Sequence, residues 1–286
     1  MSHLSTFKVM ILWHAQFFGL PIIEIIVTIA GIIGGLLVGY MSHGALVEHF
    51  DVDYIPTRDM IQSMYYIAAC MLGSAFILSL GVAHVYWTRE ADLVRNFNSQ
   101  GTLRASSYII TTLVRSMVSS IIITLCWIPI FLLIVEGTGS NTAMIIANFS
   151  VFLTMWTCLC SFICSIAPVA YSAHVLIYVT VVTILLSGNF FNWKYVSPFF
   201  KIMHYGNPLF LFGAACSYLF LEDLDPGCLN HDGLLHYSQC TSGQRVYELN
   251  GLPQINSLLA QGAALFVAFL SLFGVAIFVL KGPKFM

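Results

Sequence analysis

Long runs of apolar residues without charged side chains make up most of the chain. A helix needs about 20 mostly apolar residues to cross the hydrocarbon core of a bilayer. Pro168 divides the longest run into two, because proline cannot continue a helix. The pattern predicts six transmembrane helices, at about residues 21–41, 60–86, 116–135, 144–166, 170–186 and 257–280.

Residues 202–221 form a further charge-free run, which leaves a seventh crossing open. The run begins with His204, Gly206 and Asn207-Pro208, and these residue types are typical of a turn. They favour backbone that dips into the outer leaflet or lies along it, shielded by protein. With six crossings, residues 187–256 form a large outer loop that contains this re-entrant segment.

The distribution of basic residues predicts the orientation in the membrane. With six crossings, the side that carries both termini has more Lys and Arg residues than the other side, and the richer side is normally cytoplasmic. We therefore expect a multi-pass protein of the plasma membrane or an organelle membrane, with both termini in the cytoplasm.

The composition agrees with this interpretation. Of the 286 residues, 58% are hydrophobic and only 8% are charged, and the mean hydropathy is +0.86. Soluble domains carry roughly a quarter charged residues. A soluble enzyme, a nucleic-acid-binding protein and a disordered chain are excluded, which leaves a single all-α polytopic membrane domain over residues 1–286.

Two features surround the first predicted span. Residues 7–18 are apolar and aromatic with Lys8 and His14, so they form either an interfacial helix that lies flat before Pro21 or the beginning of the span itself. Glycines recur within the span at every fourth position, at Gly31, Gly35 and Gly39. This spacing lets another helix approach closely, within the chain or between subunits.

Most of the eight cysteines lie in predicted spans, where thiols usually act as small apolar groups. Cys228 and Cys240 differ, because they lie in the outer loop on an oxidising side of the membrane. We expect a Cys228–Cys240 disulfide, with Cys216 as the competing partner. No metal site is expected, since no His or carboxylate accompanies the cysteines of the fourth span, Cys158, Cys160 and Cys164.

The chain contains none of the sequence motifs that carry common catalytic chemistry. It has no phosphate-binding Gly-x-x-x-x-Gly-Lys-Ser/Thr loop, no Gly-x-Ser-x-Gly and no His-Glu-x-x-His. We expect no enzyme activity and no cofactor in this chain. Glu24 is the one acidic or basic residue inside a predicted apolar core, so a self-contained pump is poorly supported.

Residues 88–107 link the second and third spans and concentrate the cytoplasmic charge in one amphipathic stretch. The segment includes Arg89, Glu90 and Arg95. It is either a solvated connector or a docking helix for a cytoplasmic partner.

Several short motifs follow one another in a recognisable order. Arg89-Glu90 ends the second span, Ser107-Tyr108 precedes the third, and Pro129 lies late in the third. The fifth span is followed by Leu-Leu-Ser-Gly-Asn-Phe-Phe at 185–191, by Ser197-Pro198 and by Tyr205-Gly-Asn-Pro208. Taken together, these motifs resemble the transmembrane domain of ABC exporters of the G subfamily, the white and pleiotropic-drug-resistance type.

The resemblance implies a homo- or heterodimer with a translocation cleft between the second and fifth spans of both protomers. It places seven residues along the substrate path: Met64, Met71, Leu78, Ile177, Val181, Leu185 and Phe190. It also assigns coupling to an ATPase to Arg89, Glu90 and Arg95. Helical stripes like those that contain the path residues are more often ordinary packing than a binding site. The chain departs from the family in lacking a nucleotide-binding domain, and Asn189 stands where a bulky apolar residue is common.

The leading hypothesis is the permease part of an ATP-driven exporter of lipids, sterols or amphipathic xenobiotics. A nucleotide-binding domain outside this chain would supply the energy, and membrane lipid surrounds the permease. The alternative is a non-transporting membrane subunit, or a truncated transporter half, with a structural role in a larger complex. A passive channel is disfavoured, because no ring of charge or selectivity filter is recognisable.

Overall fold

A computed structural model describes residues 29, 32, 33 and 36 together with the ranges 105–134, 141–167, 171–187, 197–223 and 254–281. Apart from short turns and caps, these residues are helical, and no strand occurs among them. Several predicted features lie outside the described residues: the second span, the interfacial helix, residues 88–104 of the cytoplasmic link, Gly31, Gly35, Gly39, Met64, Met71, Leu78, Arg89, Glu90, Arg95, Phe190, Cys228 and Cys240.

Six helices are continuous within the described ranges. They are α1 (Ala105–Ile134), α2 (Thr142–Ile166), α3 (Ser172–Leu185), α4 (Pro198–Tyr205), α5 (Pro208–Asp223) and α6 (Ser257–Lys281). Three of them contain segments that are long and apolar enough to cross a membrane: Ser106–Ile130, Thr142–Ile166 and Ser257–Ile277. The apolar parts of α3 and α5 are shorter, at Ser172–Leu185 and Pro208–Leu219.

The observed helices differ from the predicted spans at two places. Helix α1 begins about ten residues before the predicted start at 116, and therefore includes Arg115. Residues 202–221 do not form one helix, because the chain turns between α4 and α5 at Gly206 and Asn207. The turn lies where the residue types predicted it.

Hydroxyl groups are tolerated inside these apolar helices because they bond to their own backbone. Thr111 donates to the Ser107 carbonyl oxygen at 2.7 Å, and Thr124 donates to that of Ser120 at 2.7 Å. Thr154 does the same one turn after Ser150. Such bonds satisfy the hydroxyl where water is absent, so these residues do not interrupt a membrane helix.

Helix α2 lies at the centre of the described bundle and packs against α1, α3, α5 and α6. Trp127 of α1 contacts Phe149 with ring centroids 5.4 Å apart, and a hydrogen bond links Ser116 to Cys158, so α1 and α2 are antiparallel. Phe152 of α2 packs on Phe212 of α5 at 5.5 Å.

The contact between α2 and α6 is the most extensive between any two described helices. Small buried side chains recur on α6 at every fourth position, at Ala260, Ala264 and Ala268. This stripe allows close backbone approach. Farther along α6, the ring of Phe162 lies directly over Gly274. Because α2 and α6 meet at successive points in the same chain direction, the two helices are parallel.

Candidate functional site

Helix α3 has two unlike faces. Its buried residues are few and mostly small: Ser172, Leu176 and Thr180. The other face exposes Ile177 (42%), Val181 (44%) and Leu185 (55%), the three path residues predicted on this helix. The structure therefore brings these three side chains onto one apolar surface. The predicted path residues of the second span, and Phe190, lie outside the described residues.

The start of α5 lies close to the midpoint of α2. Phe152 packs on Phe212, and the Asn141 side chain donates to the Leu219 carbonyl oxygen at 3.5 Å, so α5 runs antiparallel to α2. At a rise of 1.5 Å per residue, Asn207 lies about 20 Å along α2 from its start. Helix α5 thus begins deep in the bundle and runs towards the end of α2 that carries Asn141.

The end of α3 lies at the same depth. A short link joins α2 to α3, which packs back along α2, and Thr183 is about 16 Å from the start of α3 at the same rise. A 2.7 Å hydrogen bond joins Thr183 to Asn207 directly. Helices α3 and α5 are therefore parallel, and one ends where the other begins. We call the junction formed by residues 183–187 and 204–207 the helix break.

The last carbonyl groups of a helix have no partner within it, and at this depth water does not supply one. Local bonds satisfy two of them. The Leu186 N–H donates to the Val182 carbonyl oxygen at 2.9 Å. Ser187 donates its N–H and its hydroxyl to the Ile184 carbonyl oxygen, at 3.1 and 2.6 Å.

Asn207 satisfies another of these carbonyls and caps α5 as well. Its Nδ2 donates to the Thr183 carbonyl oxygen at 2.7 Å, and its Oδ1 accepts from the Leu209 N–H at 3.0 Å. Asparagine is among the preferred N-cap residues for this second role. Pro208 follows at the first helical position, where a missing N–H costs nothing. One side chain thus ends one helix and begins the next.

His204 completes the junction. Its Nδ1 lies 2.5 Å from the Leu186 carbonyl oxygen. A carbonyl can only accept, so Nδ1 carries the proton and donates. The ring is 2% exposed and packs near Phe210, with centroids 5.8 Å apart. The polar side chains of the helix break, Ser187, His204 and Asn207, are therefore buried, and the carbonyls of Val182, Thr183, Ile184 and Leu186 are all paired.

This pairing determines what the site can bind. Ion sites in transporters use free carbonyls at interrupted helices, whereas these four carbonyls are occupied by protein donors. No group of three or more His, Cys, Asp or Glu residues that could hold a metal exists among the described residues. The face of α3 beside the break is apolar, and Phe199 and Ile202 of α4 are exposed as well, at 67% and 72%. The arrangement suits an apolar or amphipathic molecule.

A second polar cluster joins α2 to α6, and sequence patterns gave no sign of it. Asn148 is fully buried and donates to the Ser257 hydroxyl at 3.2 Å. Gln261 donates to Asn148 Oδ1 at 2.7 Å and approaches the Met144 sulfur at 3.5 Å. Cys216 of α5 lies beside Asn148 as well.

The described cysteines are free thiols. Cys158, Cys160, Cys164 and Cys216 are each 0% exposed. Cys216 is buried and has no disulfide partner among the described residues, and its two possible partners, Cys228 and Cys240, lie outside them. The pairing of Cys228 with Cys240 stays a prediction.

Comparison with known proteins gave no assignment: no protein-family model matches the chain, and no curated protein matches it. Function therefore has to be inferred from the residues and from the helix break.

Proposed function

We propose that the chain is the permease part of an ATP-driven exporter for lipids, sterols or amphipathic xenobiotics. The observation that carries the proposal is the apolar face of α3 beside the helix break. Short helices that end and begin within the bundle are typical of transporters, where they lie near the substrate. The ordered motifs described above, from Arg89-Glu90 to Asn207-Pro208, support the same function.

The cargo class follows from the chemistry of that face. Ile177, Val181 and Leu185 present branched aliphatic side chains, and Phe199 and Met203 of α4 add polarizable groups. Such a surface offers area for burial but few hydrogen bonds, so it selects for apolar bulk more than for a particular headgroup.

The energy source lies outside this chain. A nucleotide-binding domain would dock beneath the cytoplasmic link, with Arg89, Glu90 and Arg95 as its contact. Two copies of the permease, or this chain and a related one, would face each other and enclose the path. Six crossings with both termini in the cytoplasm would place α6 and α2 in the same direction, as their parallel packing requires.

The proposed substrate path is tested by placing a bulky side chain on the apolar face of α3. The complex is purified in mild detergent with its ATPase, reconstituted into liposomes, and assayed for ATP-dependent movement of a fluorescent phosphatidylcholine and a fluorescent sterol. Val181→Trp should lower the rate about tenfold, because the added ring obstructs the apolar face. Val118→Trp is the matched control, because Val118 is a similarly exposed valine, at 52%, on a different helix, α1. Equal rates for the two variants would contradict the path.

The coupling contact is tested by charge reversal. Arg89→Glu, Glu90→Lys and Arg95→Glu should each abolish transport stimulated by the ATPase while the permease still purifies as a folded protein. Unchanged transport would remove these residues from the contact. Co-purification with unrelated membrane subunits, without any ATP-dependent movement of either probe, would favour the structural alternative.

A further inference from the structure

We infer that His204 and Asn207 are positioning residues of the proposed path: they tie the end of α3 to the start of α5, so that the two short helices act as one interrupted crossing. The inference rests on the proposed function for its transport arm. The tie itself can be measured without transport.

The lengths of the two helices support a shared crossing. Helix α3 has 14 residues and spans about 21 Å, and the apolar part of α5 from Pro208 to Leu219 spans about 18 Å. Neither reaches across a hydrocarbon core of about 30 Å alone. Both run antiparallel to α2, and they meet at its midpoint. Joined end to end, they match the length of α2.

The hydrogen bonds of His204 and Asn207 affect the position of α3, because few other contacts hold this helix among the described residues. Among the described helices, α3 contacts mainly α2, and only a narrow strip of α3 is buried, at Ser172, Leu176 and Thr180. At its far end, the hydrogen bonds of Asn207 to the Thr183 carbonyl and of His204 to the Leu186 carbonyl hold it to the turn between α4 and α5. A displacement of that turn is therefore passed to the last turn of α3, which carries Val181 and Leu185.

Asn207 allows its two roles to be separated. Serine is also a preferred N-cap residue, so Asn207→Ser retains an acceptor for the Leu209 N–H. Its side chain is too short to reach the Thr183 carbonyl as well. Asn207→Ala loses both bonds. His204→Asn keeps a donor near the position of Nδ1, and His204→Leu removes it.

The tie is tested by hydrogen–deuterium exchange on the full chain in lipid nanodiscs. Asn207→Ser should raise the exchange rate of peptides covering residues 180–187 about threefold to fivefold, and leave those covering residues 208–213 unchanged. Asn207→Ala should raise both. His204→Leu should act on residues 180–187 alone, and His204→Asn should restore them. Unchanged exchange at 180–187 in Asn207→Ser and His204→Leu would overturn the inference.

Transport provides the second readout. In liposomes with the ATPase, Asn207→Ser should lower the maximal rate of fluorescent phosphatidylcholine movement about tenfold, with the half-saturating lipid concentration and the melting temperature unchanged. A full rate in Asn207→Ser, with wild-type protein active, would overturn the positioning role. An inactive wild-type complex would refute the proposed function instead, and the exchange experiment would still decide whether the two helices are tied.

Discussion

The α2–α6 pair and the α3–α5 pair both keep polar groups inside an apolar bundle, but they do so by different means. Helices α2 and α6 are unbroken, and their side chains bond to one another, as Asn148 does to Gln261 at 2.7 Å. Helices α3 and α5 are short, and side chains there bond to backbone carbonyls that have no partner within the helix, as Asn207 does to the Thr183 carbonyl. The first arrangement holds two complete helices together, whereas the second pairs the backbone groups left without a partner where one short helix ends and the next begins.

The difference extends to packing. Helix α6 is pressed against α2 through a stripe of alanines, so that little can be added at the contact without separating the helices. Helix α3 buries one large side chain, Leu176, and exposes most of its others. We therefore regard α1, α2, α6 and the buried helix α5 as the fixed part of the described bundle, and the more exposed α3 and α4 as its adjustable part.

The largest effect should come from enlarging the alanine stripe. Ala264 is 3% exposed, and Ala264→Leu should destabilise the protein by about 2 to 3 kcal/mol, because the added carbons force α6 away from α2. The neighbouring Ala263 is exposed, so Ala263→Leu should change stability by less than about 0.5 kcal/mol. Thermal unfolding in detergent measures both. Equal effects would mean that the stripe is not the contact.

A glycine pair tests the far end of the same contact. A Cβ on Gly274 would lie 2.3 Å from Cε2 of Phe162, so Gly274→Ala should destabilise the protein by about 1 to 2 kcal/mol as the ring is displaced. Phe162→Leu in the same chain should recover part of that loss. Gly262 has no atom within 4 Å of such a Cβ, and Gly262→Ala should be neutral or slightly stabilising. A larger loss of stability in Gly262→Ala than in Gly274→Ala would refute the close packing of α2 on α6.

The polar cluster of α2 and α6 should contribute less. Asn148→Leu removes the bonds to Ser257 and Gln261 and should lower stability by about 1 kcal/mol, the usual size of such bonds between membrane helices. A double-mutant cycle with Gln261→Leu measures the coupling directly. Additive losses would show that the two side chains act independently.

The smallest effect should come from the exposed face of α3. Ile177 is 42% exposed, and Ile177→Ala should change the free energy of unfolding by less than about 0.5 kcal/mol. Reversible unfolding in mixed micelles provides the measurement. A loss above about 2 kcal/mol would place this face against protein within the folded monomer and would remove the contrast with α6.

The sequence predicts the long helices well, because their signal is local. The predicted spans at 144–166 and 257–280 nearly coincide with α2 and α6, since each is an uninterrupted apolar run. The predicted span at 116–135 begins directly after Arg115, because the charge-free run begins there. Helix α1 instead continues past it, and the Arg115 charge lies near Cys158.

The helix break was only half predictable. The residues around Asn207-Pro208 predict a turn, because a turn depends on the backbone preferences of neighbouring residues. Nothing local indicates that the amide of Asn207 binds a carbonyl 24 residues earlier, or that His204 binds one 18 residues earlier. The partners of Asn148 are farther still, at separations of 109 and 113 residues. Such pairings depend on how the helices assemble, and periodicity carries no information about that.

The separation of Asn148 from its partners has a consequence for biogenesis. Helix α2 is synthesised well before Ser257 and Gln261. The Asn148 side chain therefore lacks these two hydrogen-bond partners during the synthesis of more than 100 further residues. Helix α6 is the most apolar of the described long segments, so the translocon can release it into lipid despite its glutamine. Its docking onto α2 can take place only after these residues have been synthesised, so a ribosome stalled before residue 257 would hold a bundle without the α2–α6 contact.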